Sequence, residues 1–402
     1  MVITNAKVVL PTGVEAKEVR IADGKIAEIG DHLGGERKID ARGRYLLPSM
    51  VDIGVRVRDR KLRSGTLERL SKKAHAAGFG TLVLSSLAEP PIDDEITLEF
   101  VKSQAQLCRL TRIDALISGL GEGGKLSDCA TLLKEGGVGI EFRSDIDGNL
   151  IRRLMEYAKL RGVHLFCRAN DPALQGDGVM QEGEVSARLG LGGIPELAES
   201  SQVARIGEFA AAYEVPVVIL HASTPRTLEI CRDHPWLKAQ VPLHHLLLDD
   251  TACDDYDTSA KLWPPLRSGQ SREKMLAMLQ NGEIDMLTSL HSPVAPAVKD
   301  AVFAEAAYGI DALTLFLPLL YTRLIREERI SWPEAAALIS TRAAETVGLG
   351  ERKGKIETGY DADLLLFDPE GLTVIDDPAS PYRGITVRGS VEKLDTISQM
   401  HD

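Results

Sequence analysis

Between about Pro48 and Leu349 the chain repeats one unit, an apolar run of strand length followed by a helix-patterned stretch. The runs are MVDIGVRV, TLVLSS, DALISGL, GVGIEF, VHLFCRA, VPVVILHAS, AQVPLHH and IDMLTSL. Segments such as SGTLERLSKKAHAAG, NLIRRLMEYAKLRG, QVARIGEFAAAYE and REKMLAMLQNG lie between them, closing on Gly or a short polar link as helix C-termini do. About eight such units predict an α/β fold, a (β/α)8 TIM barrel of ordinary size. A doubly wound open sheet is the second reading, disfavoured because no glycine fingerprint follows the first strand.

The two ends have a different texture. MVITNAKVVL, EVRIADGKIAEIG and RKIDARGRYLLP alternate short β-like runs with turn signals, and GKIETGYDADLLLFDPEG and GITVRGSVEKL repeat the style near the C-terminus. Neither end can build a good core by itself. They are expected to pair into one small β-sandwich domain, residues 1–47 with 350–402, flanking a barrel over 48–349.

Charge narrows the partners. With 59 acidic and 47 basic side chains among 402 residues, the net charge is −12, which argues against an extended nucleic-acid or anionic-membrane footprint. The five cysteines, Cys108, Cys129, Cys167, Cys231 and Cys253, form no CxxC pair, so neither a disulfide framework nor a structural zinc site is indicated. No stretch reaches the roughly 20 apolar residues of a membrane span, and the N-terminus lacks a signal-peptide pattern. A soluble, unprocessed, cytoplasmic protein is expected.

In a barrel of this kind the active site lies at the C-terminal strand ends. The first run finishes in Asp52-Ile-Gly-Val-Arg-Val-Arg58, the fourth near Phe142-Arg143, the fifth in Cys167-Arg168, the sixth in His221, the seventh in His244-His245 and the eighth in Leu290-His291. A metal hydrolase needs converging imidazoles and carboxylates. Here arginines stand instead, permanently protonated and unable to ligate.

The stretches LLPSMVDIGVRVRD, AHAAGFGTLVL to PPID, GVMQEGEVSARLGLGGIPELAESSQVAR, VVILHASTPRTLEICR, VPLHHLLLDD, KLWPPLRSGQSREKMLAMLQNGEIDMLTSLHSP and YDADLLLFDPEG follow one another in a specific order. In that order and spacing the chain resembles the dihydroorotase family of cyclic amidohydrolases over nearly its full length. The resemblance implies the barrel with its terminal β domain, and zinc in active relatives. It also implies where the zinc positions fall. The two histidines of the family's first-strand Asp-x-His-x-His-x-Arg are Gly54 and Arg56, with Asp52 and Arg58 kept; the histidine of His-x-Glu-Asp is Arg168; the carboxylate at the metals falls near Arg143. The Asp of Thr-Asp-His-Ala-Pro-His is Leu290, and the sixth-strand histidine survives as His221. Two substrate asparagines align with Leu87 and Trp263, while Arg58, a substrate-carboxylate contact in the family, keeps its type.

So read, no catalytic residue, metal ligand set or cofactor is expected, and the chain is expected not to be an enzyme. The resemblance implies an inactive dihydroorotase-like chain of pyrimidine biosynthesis, a structural or regulatory partner of the aspartate carbamoyltransferase catalytic chain, and a homo-oligomer. An active cyclic amidohydrolase with atypical ligands is the alternative. Arg56, Arg58, Arg143, Arg168 and His221 have two readings: a shared cationic pocket for a carboxylate or phosphate, or a refilled metal cavity paired with Asp52, Asp145 and Asp171. His244 and His245, adjacent on a strand, are expected on opposite faces as fold residues, and Cys167 and Cys231 as packing residues. His32, His75, His164, His234 and His401 are expected away from the mouth.

Overall fold

The computed structural model describes residues 1–394; the last eight positions of the expected terminal domain, His401 among them, lie outside the described residues. Eight strand positions make the barrel. In chain order, the small N-terminal strands are β1 (Val2–Leu10), β2 (Gly13–Ala22), β3 (Lys25–Gly30), β4 (Lys38–Asp40) and β5 (Tyr45–Pro48), and the barrel begins at β6 (Met50–Val55) and β7 (Phe79–Leu84). The third position is split by Leu116 into β8 (Arg112–Ala115) and β9 (Ile117–Ser118), which hand the ladder from β7 on one side to β10 (Ile140–Arg143) on the other. A short pair, β12 (Met180–Gln181) and β13 (Gly193–Ile194), sits in the long excursion after β11 (Leu165–Arg168). Then come β14 (Val217–Ile219), β15 (Leu237–Pro242) and β16 (Met286–Thr288), all parallel to their neighbours.

These strands are buried on both faces, as in β7, where every residue of Phe79–Leu84 is buried. Helices outside and packed side chains inside leave no wet face, which is why they read as continuous apolar runs and not as alternations. The circle closes between β16 and β6. Arg56 N–H donates to His291 O at 2.9 Å, and the Asp52 carboxylate accepts from Thr288 Oγ1 at 2.6 Å and from the Ser289 hydroxyl. Burial pushes the Asp52 carboxyl up to about 6 against those bonds.

Strands from both ends share one sheet. β1 pairs with β2, β4 and β5, and β5 pairs antiparallel with β17 (Leu364–Val374), which pairs with β18 (Thr386–Lys393). Partly buried Asp363 at its base takes Lys353 Nζ at 2.6 Å and also Lys393. One difference from the sequence reading concerns His244 and His245. Pro242 ends β15, and both histidines lie on the short helix Leu243–Leu247. They are fold residues nonetheless. The His244 ring meets Tyr382 Oη at 2.8 Å and Ser289 O at 3.0 Å, and His245 Nε2 reaches the Pro264 carbonyl at 3.1 Å. Buried Cys167 and Cys231 pack in the core, where burial pushes both thiols up.

Candidate functional site

The mouth is organised by one residue that the sequence reading passed over. Glu141, inside β10, turns its carboxylate into the barrel and is almost wholly buried. Ser85 Oγ donates to both its oxygens at 3.0 and 2.9 Å, and Ser86 adds its backbone N–H at 2.6 Å and its hydroxyl at 3.0 Å. Arg168, at the end of β11, closes an ion pair on the same carboxylate through Nε, while its Nη2 donates to Ser85 Oγ at 3.1 Å. Burial works against the charged form of Glu141, yet the Arg168 and Arg56 guanidiniums hold it below the usual carboxylate range. The signal was present: a single acid in the apolar run GVGIEF must be paired if that run is a barrel strand.

His221 follows β14 and is buried. Arg168 Nη1 stands 3.1 Å from its Nδ1. A guanidinium can only donate, so Nδ1 accepts and the ring proton sits on Nε2. Burial and the two arginines push the imidazole well below its ordinary range, so it is neutral. Its Nε2 finds no partner among the described residues.

Gly54 faces that nitrogen. Its φ is +85°, the ladder between β6 and β7 shifts register beside it, and a Cβ built there would lie 3.5 Å from His221 Nε2 and 3.8 Å from Arg168 Nη2. A side chain in this position would be strained by that φ, while its Cβ would meet both groups at ordinary contact distance. Leu290, also at positive φ (56°), and His221 (φ 60°) complete a rim of left-handed residues. With Arg56, Leu262, Trp263, His291, Tyr308 and Ile310 they line a narrow cavity of about 20 Å³. Trp263 meets Tyr308 edge-on at 5.3 Å and roofs it.

The structure therefore brings together Gly54, Arg56, Arg168, His221 and Leu290. It does not bring in the other two arginines. Arg143 turns away to pair with Asp145 at 2.6 Å, its side chain more than half exposed. Arg58 lines a separate hollow with Arg69, Lys73 and Asp311, on the far side of His291. The expected pairing also needs correction. Asp145 does pair with Arg143, but Asp52 bonds Thr288 and Ser289, and Asp171 caps the helix Pro172–Gln175 through Ala173 N at 2.9 Å. The carboxylate that answers Arg168 is Glu141, because the inward strand direction puts residue 141 in the barrel while 143 stands at the rim.

These residues do not fit a zinc centre. Gly54 and Leu290 offer no side-chain donor atom, Arg56 and Arg168 are cations, and of the two imidazoles lining the cavity, His221 and His291, the second spends its Nδ1 on the Ala312 N–H at 3.2 Å. Among the described residues no group of three or more His, Cys, Asp or Glu side chains is placed to hold a metal ion.

A second buried cluster, also missed, lies beside the mouth. Glu199 accepts from Ser223 N at 2.9 Å and from the Ser223 hydroxyl, and Arg267 binds it through Nη2 at 3.3 Å. Arg267 Nε donates to Ser223 Oγ at 3.0 Å and Nη1 to Gln181 Oε1 at 2.7 Å. Every charge there has an answer.

Comparison with known proteins places these features in a lineage. Residues 273–389 match the amidohydrolase family. The dihydroorotase of Geobacter sp. (strain M21) is 34% identical over 92% of this chain and 89% of that protein, and the dihydroorotase of Thermoanaerobacter sp. (strain X514) is 30% identical over 94% and 88%. The L-hydantoinase (dihydropyrimidinase) structure from Arthrobacter aurescens superposes with a TM-score of 0.85, covering 98% of this chain and 94% of that one at 20% identity, a likeness of fold. The expectation that the chain is not an enzyme is corrected by these relatives: proteins sharing about a third of its residues along nearly its whole length carry the names of enzymes.

Proposed function

We propose, for a chain that belongs to the dihydroorotase family of cyclic amidohydrolases and so to a pyrimidine-pathway lineage, that it works in the cytoplasm by assembling with the catalytic chain of aspartate carbamoyltransferase, as a homo-oligomer within that complex. The observation that carries this reading is the contrast between frame and mouth. The family frame persists along more than nine-tenths of the chain, while the positions assigned to zinc by resemblance hold an ion-paired cluster and an orphaned imidazole. A frame preserved around a rebuilt mouth fits a chain selected for its outer surface. The five unpaired cysteines accord with a reducing compartment, and among the described residues no helix is long and apolar enough to cross a membrane.

Mixing the chain with that catalytic chain at micromolar concentration, and weighing the products by light scattering after size exclusion, tests the assembly. One peak heavier than either component is expected, and two independent peaks overturn it.

The names of the relatives favour a second reading, hydrolysis of a cyclic amide at this mouth by an altered set of side chains. Its steps cannot run through zinc with the residues present. It expects dihydroorotate turnover that added zinc leaves unchanged, on the chain alone or in the complex. No turnover in either state removes it.

A further inference from the structure

We propose that the cavity in front of Gly54 is a binding site for a small monoanion, a halide or a carboxylate of formate size, held by Arg56 and His221. Three observations converge on it, and the first is charge. Arg56 and Arg168 bring two positive charges to one carboxylate, Glu141, and His221 is neutral. Among the described residues one positive charge is left without a carboxylate of its own in a narrow pocket, and Arg60 adds to the field. Burial, helped by Arg168, lowers the Arg56 guanidinium to about 9, the mark of a cation lacking an adequate counterion.

The second observation is donor geometry. His221 Nε2–H and Arg56 Nε–H are both buried without a partner among the described residues, and both residues line the same pocket. Native structures rarely leave two such donors orphaned in one pocket. An acceptor within reach of both would satisfy them, and a negative acceptor would also answer the surplus charge. Cations are repelled by the same arrangement.

The third is size and strain. The cavity volume is about 20 Å³, a little more than one water needs, and Leu262, Trp263, Leu290 and Ile310 wall part of it with apolar groups. Sulfate, phosphate and larger carboxylic acids are expected to be too large for it. His221 and Leu290 hold left-handed backbone beside this space, the kind of strain that persists where a fold keeps a site in shape.

Thermal unfolding of the intact chain in gluconate, with bromide, chloride, nitrate, formate, acetate or sulfate added at constant ionic strength, reads the site. A saturable rise in Tm of about 2 °C or more is expected with the small monoanions and not with acetate or sulfate. Arg56→Met and His221→Phe should each weaken the apparent affinity by about tenfold or more. Crystals soaked in bromide should show an anomalous peak between Arg56, His221 and Gly54, a measurement that needs no variant. A response to formate alone assigns the site to carboxylates, and a response to halides alone assigns it to inorganic anions. Equal response to sulfate, no saturable response at all, or a halide response without a bromide peak in the cavity overturns the proposal.

Discussion

Two buried ion clusters stand within one barrel, and they differ in their arithmetic. Around Glu199 and Arg267, one carboxylate meets one guanidinium, both nearly inaccessible, and Ser223 and Gln181 take up further hydrogen bonds of the pair. Around Glu141, one carboxylate meets Arg168 directly and the field of Arg56 as well, and two donors are left over. The first cluster is self-contained, so its work is to hold the excursion after β11 against the strand ends. The second is incomplete, which makes it a place where something else can bind. Buried charge by itself identifies neither role; the balance of donors, acceptors and charges does.

That difference sets an order of expected effects. Glu199→Ala would strand Arg267 in an apolar surround, and the loss should be about 4 kcal/mol in urea unfolding, among the largest of any single change in the chain. A loss below about 1 kcal/mol would mean that the cluster is not the bolt described. Glu141→Gln keeps the shape and part of the serine hydrogen bonding but removes the carboxylate charge that two guanidiniums share, so about 3 kcal/mol is expected at pH 7. The pH profile sharpens this. The folded carboxyl lies below the ordinary glutamate value of 4.5. Its stabilising contribution is therefore full above that value and is lost as pH falls through the lower folded value. The wild-type chain should show an acid limb below about pH 4.5 that is reduced in the Gln variant. Equal acid limbs would detach Glu141 from the stability of the mouth.

Arg56 should behave in the opposite sense. Removing a surplus cation whose Nε has no partner relieves a cost, so Arg56→Met in gluconate buffer should be neutral or more stable by about 1 kcal/mol. A loss of 2 kcal/mol or more would show that Arg56 is paired as fully as Arg267, and the contrast between the clusters would collapse.

The sequence carried the barrel well and the clusters poorly, for physical reasons. Parallel strands covered on both faces are written as apolar runs, so all eight runs from MVDIGVRV to IDMLTSL coincide with barrel strands. Pairings across the barrel are not written locally. Glu199 and Arg267 are separated by 68 residues, and Glu141 and Arg168 by 27. The strand-end reading put Gly54, Arg56, Arg168, His221 and Leu290 at one mouth, and the structure has them beside one another there, because a barrel delivers strand ends to one face. The same rule overreached at Arg58 and Arg143. Beyond the last ladder bond the chain turns, and a long guanidinium stem goes to whichever acceptor the turn supplies.

Arg143 is the smallest and cleanest check on that last point. It stands two residues from Glu141, on the same strand, and was expected in the same pocket. Its pair with Asp145 is two residues away in sequence and its side chain is 58% exposed. Water screens such a pair, and the ordering of a long side chain offsets much of the attraction. Arg143→Ala should therefore change stability by no more than about 0.5 kcal/mol, and it should leave the response to formate and halide as it is in the unaltered chain. A loss of the anion response in this variant would place Arg143 inside the chamber. The distinction between a strand-end arginine that enters the barrel and one that leaves it would then have to be redrawn.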